Sequence, residues 1–305
     1  MIRINTMTRG RFGNKVLQYN TLRQLSSILG VGYSCPDWEG SKIFDLSLSS
    51  KIIRNQDDWL TSIYACENQQ EYEQEKLLTW HECIEPNWDS LREMSNKYDL
   101  IIDDPAYLLH NTFFQFCQTD PRKFFPIKEK FNKILPSDTI NVGIHIRGMD
   151  ILGADGNHGR EIHNPEYYIQ SINLVQSEHD NVKYYVCTDD LNFISYRETI
   201  KYLQNKNYLF EIGNIDNHFL DFCILADCDI LIASSSTFVV CAVFLGKENK
   251  KVIHSREWID KNINHFPWHM TKDPEEVRQS QLNFDNFWIQ LCNGGNKFYN
   301  IWRIV

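Results

Sequence analysis

The sequence predicts an α/β protein whose second half is built on a parallel, doubly wound sheet. Short apolar segments alternate there with segments of mixed polarity, from about residue 140 to residue 255, and the connections between them are short. This alternation is typical of βαβ units. Polar residues also follow directly after several apolar segments, and open α/β sheets bind ligands outside the carboxyl ends of their strands. The second half is therefore predicted to carry a ligand site along one edge of its sheet.

The first half is predicted to begin with a strand over residues 1–7 and a glycine-containing loop over 9–14. Asn14 is then predicted to cap a helix that ends near Leu29, because leucines recur at helical spacing and Gly30 can stop it. Residues 50–97 show no pattern that assigns them. The other predicted elements of this half are strands at 33–35 and 98–103 and helices at about 105–117 and 121–135.

The polar, proline-containing segment 136–139 is predicted to separate two domains. These domains are residues 1–138 and residues 139–272, and a tail over 273–305 is expected to pack back onto the body. In the second domain, Asn164 is predicted to cap a helix that has Pro165 at its first position. The other predicted elements are strands at 140–146, 182–187, 207–212, 229–233 and 251–255, and helices at 190–204, 217–227 and 236–246.

The composition limits the classes of function. The chain has 305 residues and a formal net charge of −9, and it lacks the lysine or arginine cluster that a nucleic-acid surface requires. Its start is too polar for a signal peptide, and no segment approaches the roughly 18 apolar residues of a membrane span. Nine cysteines without a Cys-x-x-Cys pair predict free thiols in a reducing compartment. A cytoplasmic protein without a zinc site is therefore expected.

Four loops carry groups suited to one phosphate-containing ligand. The first is the loop from Arg9 to Asn14, where Gly10 and Gly13 would let the backbone come close to a ligand before a helix begins. It differs from the Gly-x-Gly-x-x-Gly pattern of dinucleotide-binding proteins. The alternative interpretation is a tight turn that needs glycine for its conformation.

The second loop follows the strand that ends near Ile146. Arg147 can grip a phosphate through two parallel hydrogen bonds, and His145 and Asp150 lie beside it in the sequence. The alternative is a surface arginine paired with Asp150. The next residues, 153–159, contain three glycines and either close over a substrate or form a disordered surface loop.

The third and fourth loops follow later strands. Asp189 and Asp190 could accept hydrogen bonds from a base edge or a ribose, or one of them could cap the next helix. Ser235, Ser236 and Thr237 stand with Ser234 at the start of an apolar helix, where hydroxyl and N–H groups form an anion site. The alternative there is a simple helix cap, which needs only one of these residues.

In this order, the segments resemble the GDP-fucose-dependent fucosyltransferases, which include the α-1,6-fucosyltransferases, the protein O-fucosyltransferases and the bacterial α-1,2-fucosyltransferases. The resemblance covers about residues 9–20 and 140–245. The α-1,2 and α-1,6 enzymes usually have two adjacent arginines, whereas Arg147 is followed here by Gly148. The segments that carry the resemblance are an amino-terminal glycine motif (10–14), a His-x-Arg strand (142–147), a Thr-Asp-Asp element (185–190) and a helix, strand and serine-rich turn (220–238).

The resemblance implies a GT-B fold, in which two Rossmann-like domains face each other across a cleft. It implies inverting transfer of L-fucose from GDP-fucose to a glycan hydroxyl, of the α-1,2 type, with no metal or other cofactor required. Arg147 would contact the diphosphate and neutralise the leaving group, and Asn14 would line the reaction centre. Asp150 and Asp155 are candidates for a general base. The residues that would hold the nucleotide sugar are Gly13, His145, Arg147, Asp189, Asp190, Ser235, Ser236 and Thr237.

Two other functions remain open at this point. One is a GT-B transferase that uses a different nucleotide sugar, and the other is a non-catalytic protein that binds a nucleotide sugar or a glycan. A dinucleotide-dependent dehydrogenase is disfavoured, because the glycine fingerprint of that class is absent from the sequence.

Overall fold

The computed structural model describes residues 1–4, 7, 11–46, 87–102, 119–131, 135–148, 163–234, 236–248 and 250–254, and the backbone of two strands at 75–78 and 301–304. The chain divides into two compact units, Met1–Lys128 and Glu129–Val305. Each unit contains a sheet whose strand pairs are all parallel. Within the described residues, no helix is both long enough and apolar enough to span a membrane.

Unit 1 contains a four-stranded sheet with the order β2-β1-β4-β3. Its strands are β1 (Ile2–Ile4), β2 (Tyr33–Ser34), β3 (Glu75–Leu78) and β4 (Asp99–Ile102). Helix α1 (Phe12–Leu29) lies between β1 and β2 in the chain, and helix α2 (Trp88–Lys97) precedes β4. The strand β3 and the helix α2 fall in the segment that the sequence pattern leaves unassigned.

Helix α1 ends as predicted, because Gly30 adopts a left-handed conformation with φ of 68°. Its predicted start is wrong. Arg11 is the cap residue and Asn14 lies inside the first turn. Phe12 packs against Trp38 and Phe44, with ring centroids 6.0 and 6.3 Å apart. This tertiary packing outweighs the local preference of asparagine for the cap position.

The helix predicted over 121–135 is also wrong. The structure has two short 3-10 turns, Pro121–Phe124 and Glu129–Phe131. Between them the backbone is extended and bonds to a neighbouring segment, since Asp45 N donates to Pro126 O at 2.8 Å and Lys128 N donates to Ile43 O at 2.9 Å. Pro126 has no N–H and restricts the residue before it, so a continuous helix is excluded. The helix predicted at 105–117 lies outside the described residues.

Unit 2 contains a six-stranded sheet with the order β10-β9-β8-β5-β6-β7. The strand–helix alternation predicted for this half is confirmed, and Asn164 caps a helix that starts at Pro165. The strands are β5 (Ile140–Ile146), β6 (Val182–Thr188), β7 (Leu209–Ile212), β8 (Ile230–Ile232), β9 (Lys251–His254) and β10 (Ile301–Ile304). The helices are α3 (Pro165–Glu178), α4 (Ile194–Asn205), α5 (His218–Asp227) and α6 (Thr237–Phe244).

The two faces of this sheet carry different helices. Val142, Ile144 and Ile146 of β5 pack into a buried cluster with residues of α3 and α4. Gly143 and His145 point to the opposite face, where Gly143 lies against α5 and the His145 ring stacks on a phenylalanine of α6. This alternation follows from the two-residue period of a strand. The sheet is therefore doubly wound, as predicted.

The strand register brings three loops to one edge of the sheet. Ile146 pairs with Thr188, and Ile144 pairs with Ile232. Strands β5, β6 and β8 therefore run parallel and end side by side, so the residues that follow them leave the sheet at neighbouring points. This carboxyl edge is the place where an open α/β sheet binds its ligand.

Candidate functional site

The centre of the carboxyl edge is a contact between Arg147 and the serine turn, which we define as residues 234–237. Arg147 is half-buried, and its Nη1 donates to Ser236 Oγ at 3.1 Å. Ser236 caps helix α6, since its Oγ also accepts from Phe238 N at 3.3 Å. A guanidinium and the amino terminus of a helix thus meet at one hydroxyl. The guanidinium and the helix amino terminus both attract an anion, so the arrangement is suited to a phosphate group.

The other members of the serine turn have different positions. Ser234 is buried, and Thr237 is the partly exposed first residue of α6. Ser235 lies outside the described residues. Ser236 is therefore the helix cap that the alternative interpretation of this turn predicts. It also contacts Arg147, which is predicted to bind phosphate.

His145 holds the serine turn against strand β5. Its Nδ1 lies 2.6 Å from Ser234 Oγ, and its ring stacks on Phe238 with centroids 5.4 Å apart. The side chain is buried. The structure thus gives His145 a role in fixing the turn, and its predicted contact with a nucleotide stays a prediction.

The adjacent aspartates hold two different backbone groups. Asp189 Oδ1 accepts from Gly148 N at 2.7 Å, which ties the residue after Arg147 to the end of β6. Asp190 Oδ1 accepts from Asn192 N at 2.9 Å and so stabilises the turn before α4. Because of this turn, helix α4 starts at Ile194 and not at residue 190 as predicted. Nucleotide binding by either aspartate stays a prediction.

Gly148 is tightly enclosed. A Cβ atom at this position would lie 2.9 Å from Asp190 Cβ and 3.0 Å from Phe193 Cβ. Contacts this short require neighbouring atoms to move. A second arginine after Arg147 therefore does not fit this packing, and the single arginine is a property of how this loop is built.

Asp221 is a candidate functional residue that the sequence analysis quoted in a motif without giving it a role. It is buried in α5, and its Oδ1 accepts from Asn214 N at 2.7 Å. Burial raises the pKa of Asp221 to about 6, while hydrogen bonds from Asn214 and the Cys187 thiol oppose this rise. The signal that could have identified it is an aspartate inside the apolar run 219–226.

The remaining predicted residues lie either in unit 1 or outside the described residues. Gly13 and Asn14 lie in unit 1, in the first turn of α1, where Asn14 N donates to Arg11 O at 2.9 Å. Lys15 in the same turn pairs with Glu39 at 3.0 Å. Asp150, Asp155 and the loop 153–159 lie outside the described residues. The part of the chain that is described contains no group of three or more metal-ligating side chains.

Part of the sequence matches a known protein family. Residues 122–272 match the family model described as glycosyl transferase family 11. This span contains Arg147, the serine turn, both aspartates and Asp221. A comparison with curated proteins gave no significant match for the sequence.

Two solved structures have a similar fold. POFUT1 in complex with GDP-fucose has 12% sequence identity and a TM-score of 0.51, over 82% of this chain and 97% of that chain. A variant of Arabidopsis thaliana FUT1 in complex with GDP has 11% identity and a TM-score of 0.50, over 80% of this chain and 68% of that chain. The predicted GT-B class and the predicted resemblance are confirmed. The chain is a glycosyltransferase.

Proposed function

We propose that this glycosyltransferase moves L-fucose from GDP-fucose to a hydroxyl of a glycan, with inversion at the anomeric carbon and in α-1,2 linkage. The observation that carries the proposal is the 3.1 Å contact between Arg147 and Ser236 at the amino terminus of α6. The match to glycosyl transferase family 11 supports fucosyl transfer, and the similar fold of POFUT1, which was solved with GDP-fucose, supports the choice of donor.

The chemistry explains why this contact matters. Transfer breaks the bond between the anomeric carbon and the diphosphate, so negative charge builds on GDP while the sugar becomes oxocarbenium-like. A positioned guanidinium and helix N–H groups stabilise that charge in the transition state. Arg147 contacts the diphosphate in this proposal, and Ser235, Ser236 and Thr237 hold its oxygens.

The rest of the site completes the donor and acceptor positions. His145, Asp189 and Asp190 hold the nucleotide, and the loop that contains Gly13 and Asn14 lines the reaction centre. We assign no metal to the reaction, because Arg147 and the amino terminus of α6 supply the positive charge. Asp150 is the candidate general base. The protein would act in the cytoplasm, in glycan biosynthesis, on an oligosaccharide acceptor.

The first test is nucleotide selectivity. We expect GDP to raise the melting temperature of the protein, while UDP and CDP at the same concentration leave it unchanged, because a ligand that binds only the folded state stabilises it. A shift with UDP alone would instead indicate a transferase that uses another nucleotide sugar.

The second test is turnover. Release of GDP from GDP-fucose in the presence of a glycan panel, with and without a chelator, measures donor, acceptor and metal requirement together. We expect turnover to continue in the chelator. Binding of GDP-fucose without any release of GDP would support the non-catalytic alternative, and product analysis would decide the linkage.

A further inference from the structure

Two adjacent tyrosines tie the start of α3 to the ends of three strands. The hydroxyl of Tyr167 donates to Ala233 O at 2.7 Å and lies 3.1 Å from Ile253 O, at the ends of β8 and β9. The hydroxyl of Tyr168 donates to His145 O at 3.4 Å, near the end of β5. Both side chains are buried.

These carbonyl groups stand directly before the functional residues. Ala233 precedes the serine turn, and His145 lies two positions before Arg147. Ala233 N also donates to Ile253 O at 3.0 Å, so the Tyr167 hydroxyl closes a small network at the base of the turn. The position of the serine turn therefore depends on where this hydroxyl is held.

The position of Tyr167 is fixed by contacts of its backbone and of its ring. Its backbone N–H donates to Asn164 Oδ1 at 3.0 Å, in the cap of α3. Its ring lies 4.5 Å from the ring of buried His163, whose carbonyl oxygen accepts from Ser195 Oγ of α4 at 2.7 Å. Helices α3 and α4 thus fix the position of the ring, and the ring in turn fixes the position of its hydroxyl group at the strand ends.

We propose that Tyr167 is a positioning residue for the donor, which sets the serine turn at the correct distance from Arg147. The proposal rests on the proposed function, because it assumes that Arg147 and Ser236 hold the diphosphate. Replacement by phenylalanine keeps the ring and removes the donor to Ala233 O. The turn then loses one of its fixed points, and small displacements of binding groups reduce rates by up to ~100-fold.

The two tyrosines are expected to differ in effect. A distance of 2.7 Å is close to the optimum for O–H···O, whereas 3.4 Å is long. We therefore expect Tyr167→Phe to weaken GDP binding by up to ~10-fold, which is the usual scale of one lost hydrogen bond, and Tyr168→Phe to weaken it by a smaller factor.

Tyr184→Phe is the matched control. Tyr184 is also fully buried in unit 2, but its hydroxyl accepts from Gln176 Nε2 at 3.0 Å and donates to Ile172 O at 3.4 Å, on elements that do not form the serine turn. The control therefore loses a buried hydroxyl from the same residue type without changing the base of the turn.

The experiment compares melting temperature, the Kd of GDP by calorimetry, and kcat and KM for GDP-fucose in the full chain. We expect both Tyr167→Phe and Tyr184→Phe to melt lower than the wild type, and only Tyr167→Phe to bind GDP more weakly. Equal Kd values for Tyr167→Phe and the wild type, or equal losses in Tyr167→Phe and Tyr184→Phe, would overturn the inference.

Two further outcomes are an unfolded Tyr167→Phe variant and a wild-type protein that does not bind GDP. If Tyr167→Phe does not fold, Tyr168→Phe takes its place, and unchanged GDP binding in that variant counts against the inference. A wild-type protein that binds no GDP overturns the proposed function and this inference with it, whereas GDP binding that is equal in the wild type and the tyrosine variants overturns this inference alone.

Discussion

At the scale of single residues, the proposed chemistry depends most on Arg147. We expect Arg147→Ala to fold normally and to lose roughly 100-fold or more in kcat, which is the usual cost of removing a group that stabilises transition-state charge. Arg147→Lys should recover only part of the rate, because lysine keeps the charge but loses the planar fork of the guanidinium. Initial rates with GDP-fucose measure this, and full activity in Arg147→Ala would contradict the assignment.

His163 makes the stability of the protein sensitive to acid. Burial, with a smaller contribution from His254, lowers the pKa of His163 from 6.5 to about 3. Between these two values the unfolded chain binds the proton and the folded chain does not, so stability falls as the pH drops below 6.5. At pH 5 the loss from this residue is on the order of 2 kcal/mol.

Asp221 acts in the opposite direction. Its pKa is raised to about 6, so the folded protein binds the proton more readily than the unfolded chain between about pH 4 and pH 6. Its stabilising contribution is complete below its unfolded pKa and is lost as the pH rises through 6. Acidification from pH 7.5 to pH 5 therefore gains stability at Asp221 while it loses stability at His163.

A variant separates the two contributions. We expect His163→Gln to melt below the wild type at pH 7.5 because it disturbs the contact with Tyr167, and to lose less stability than the wild type on transfer to pH 5. Melting curves at the two pH values measure the difference, in which the packing defect cancels. An equal response to acid in both proteins would show that His163 does not resist protonation.

The sequence predicts Arg147 and the serine turn as parts of the site, but it does not predict the contacts that hold them. Both can be predicted because each follows a predicted strand, and parallel strands end at one edge of a sheet. The bond from Tyr167 to Ala233 spans 66 residues, and the bond from Gly148 to Asp189 spans 41. Such pairs have no local signal, since they depend on how the helices pack on the sheet.

At the scale of elements, α5 can approach β5 closely because Gly143 of β5 has no side chain. A Cβ atom on Gly143 would lie 2.8 Å from Leu225 Cδ2 and 2.9 Å from Cys228 Sγ, both in or next to α5. We expect Gly143→Ala to lower the free energy of unfolding by about 1–3 kcal/mol, which is typical of overpacking. Urea unfolding of the full chain measures the change.

Gly32→Ala is the control for that experiment. A Cβ atom at Gly32 meets nothing within 4 Å, so the same chemical change adds no contact. It should be neutral or stabilise the protein by up to about 1 kcal/mol, through the smaller entropy of the unfolded chain. If both variants lost equal stability, the close approach of α5 to β5 would not be the cause.

Most elements of unit 2 can be predicted because each of them carries a local signal, whereas the sequence pattern predicts no strand at β10. Strand β5 follows a polar, proline-containing segment, and α3 begins with an asparagine cap and a proline. The errors in unit 1 have a common origin. The start of α1 is decided by the packing of Phe12 on Trp38 and Phe44, and the segment after Phe125 is decided by pairing with residues 43–45. Both depend on contacts distant in sequence.

At the scale of the whole molecule, each of the two units has its own sheet. Arg147 and His145, which contact the serine turn, both belong to unit 2. The net charge of −9 gives the molecule no general attraction for a diphosphate. In the proposed function, GDP binding therefore depends on local positive charge at the carboxyl edge of one sheet, and we expect its stabilising effect to be largest in the unit that holds that edge.

Hydrogen exchange on the full chain with and without GDP tests this view. A ligand slows exchange where its binding opposes local opening, so we expect slower exchange in peptides that cover residues 140–148 and 230–244. Peptides from α1 should exchange at the same rate in both samples, and UDP should leave all of these rates unchanged. Comparable slowing in α1 would mean that both units hold the nucleotide. The assignment of GDP to unit 2 alone would then be wrong, while the role of Arg147 would still be decided by its own variants.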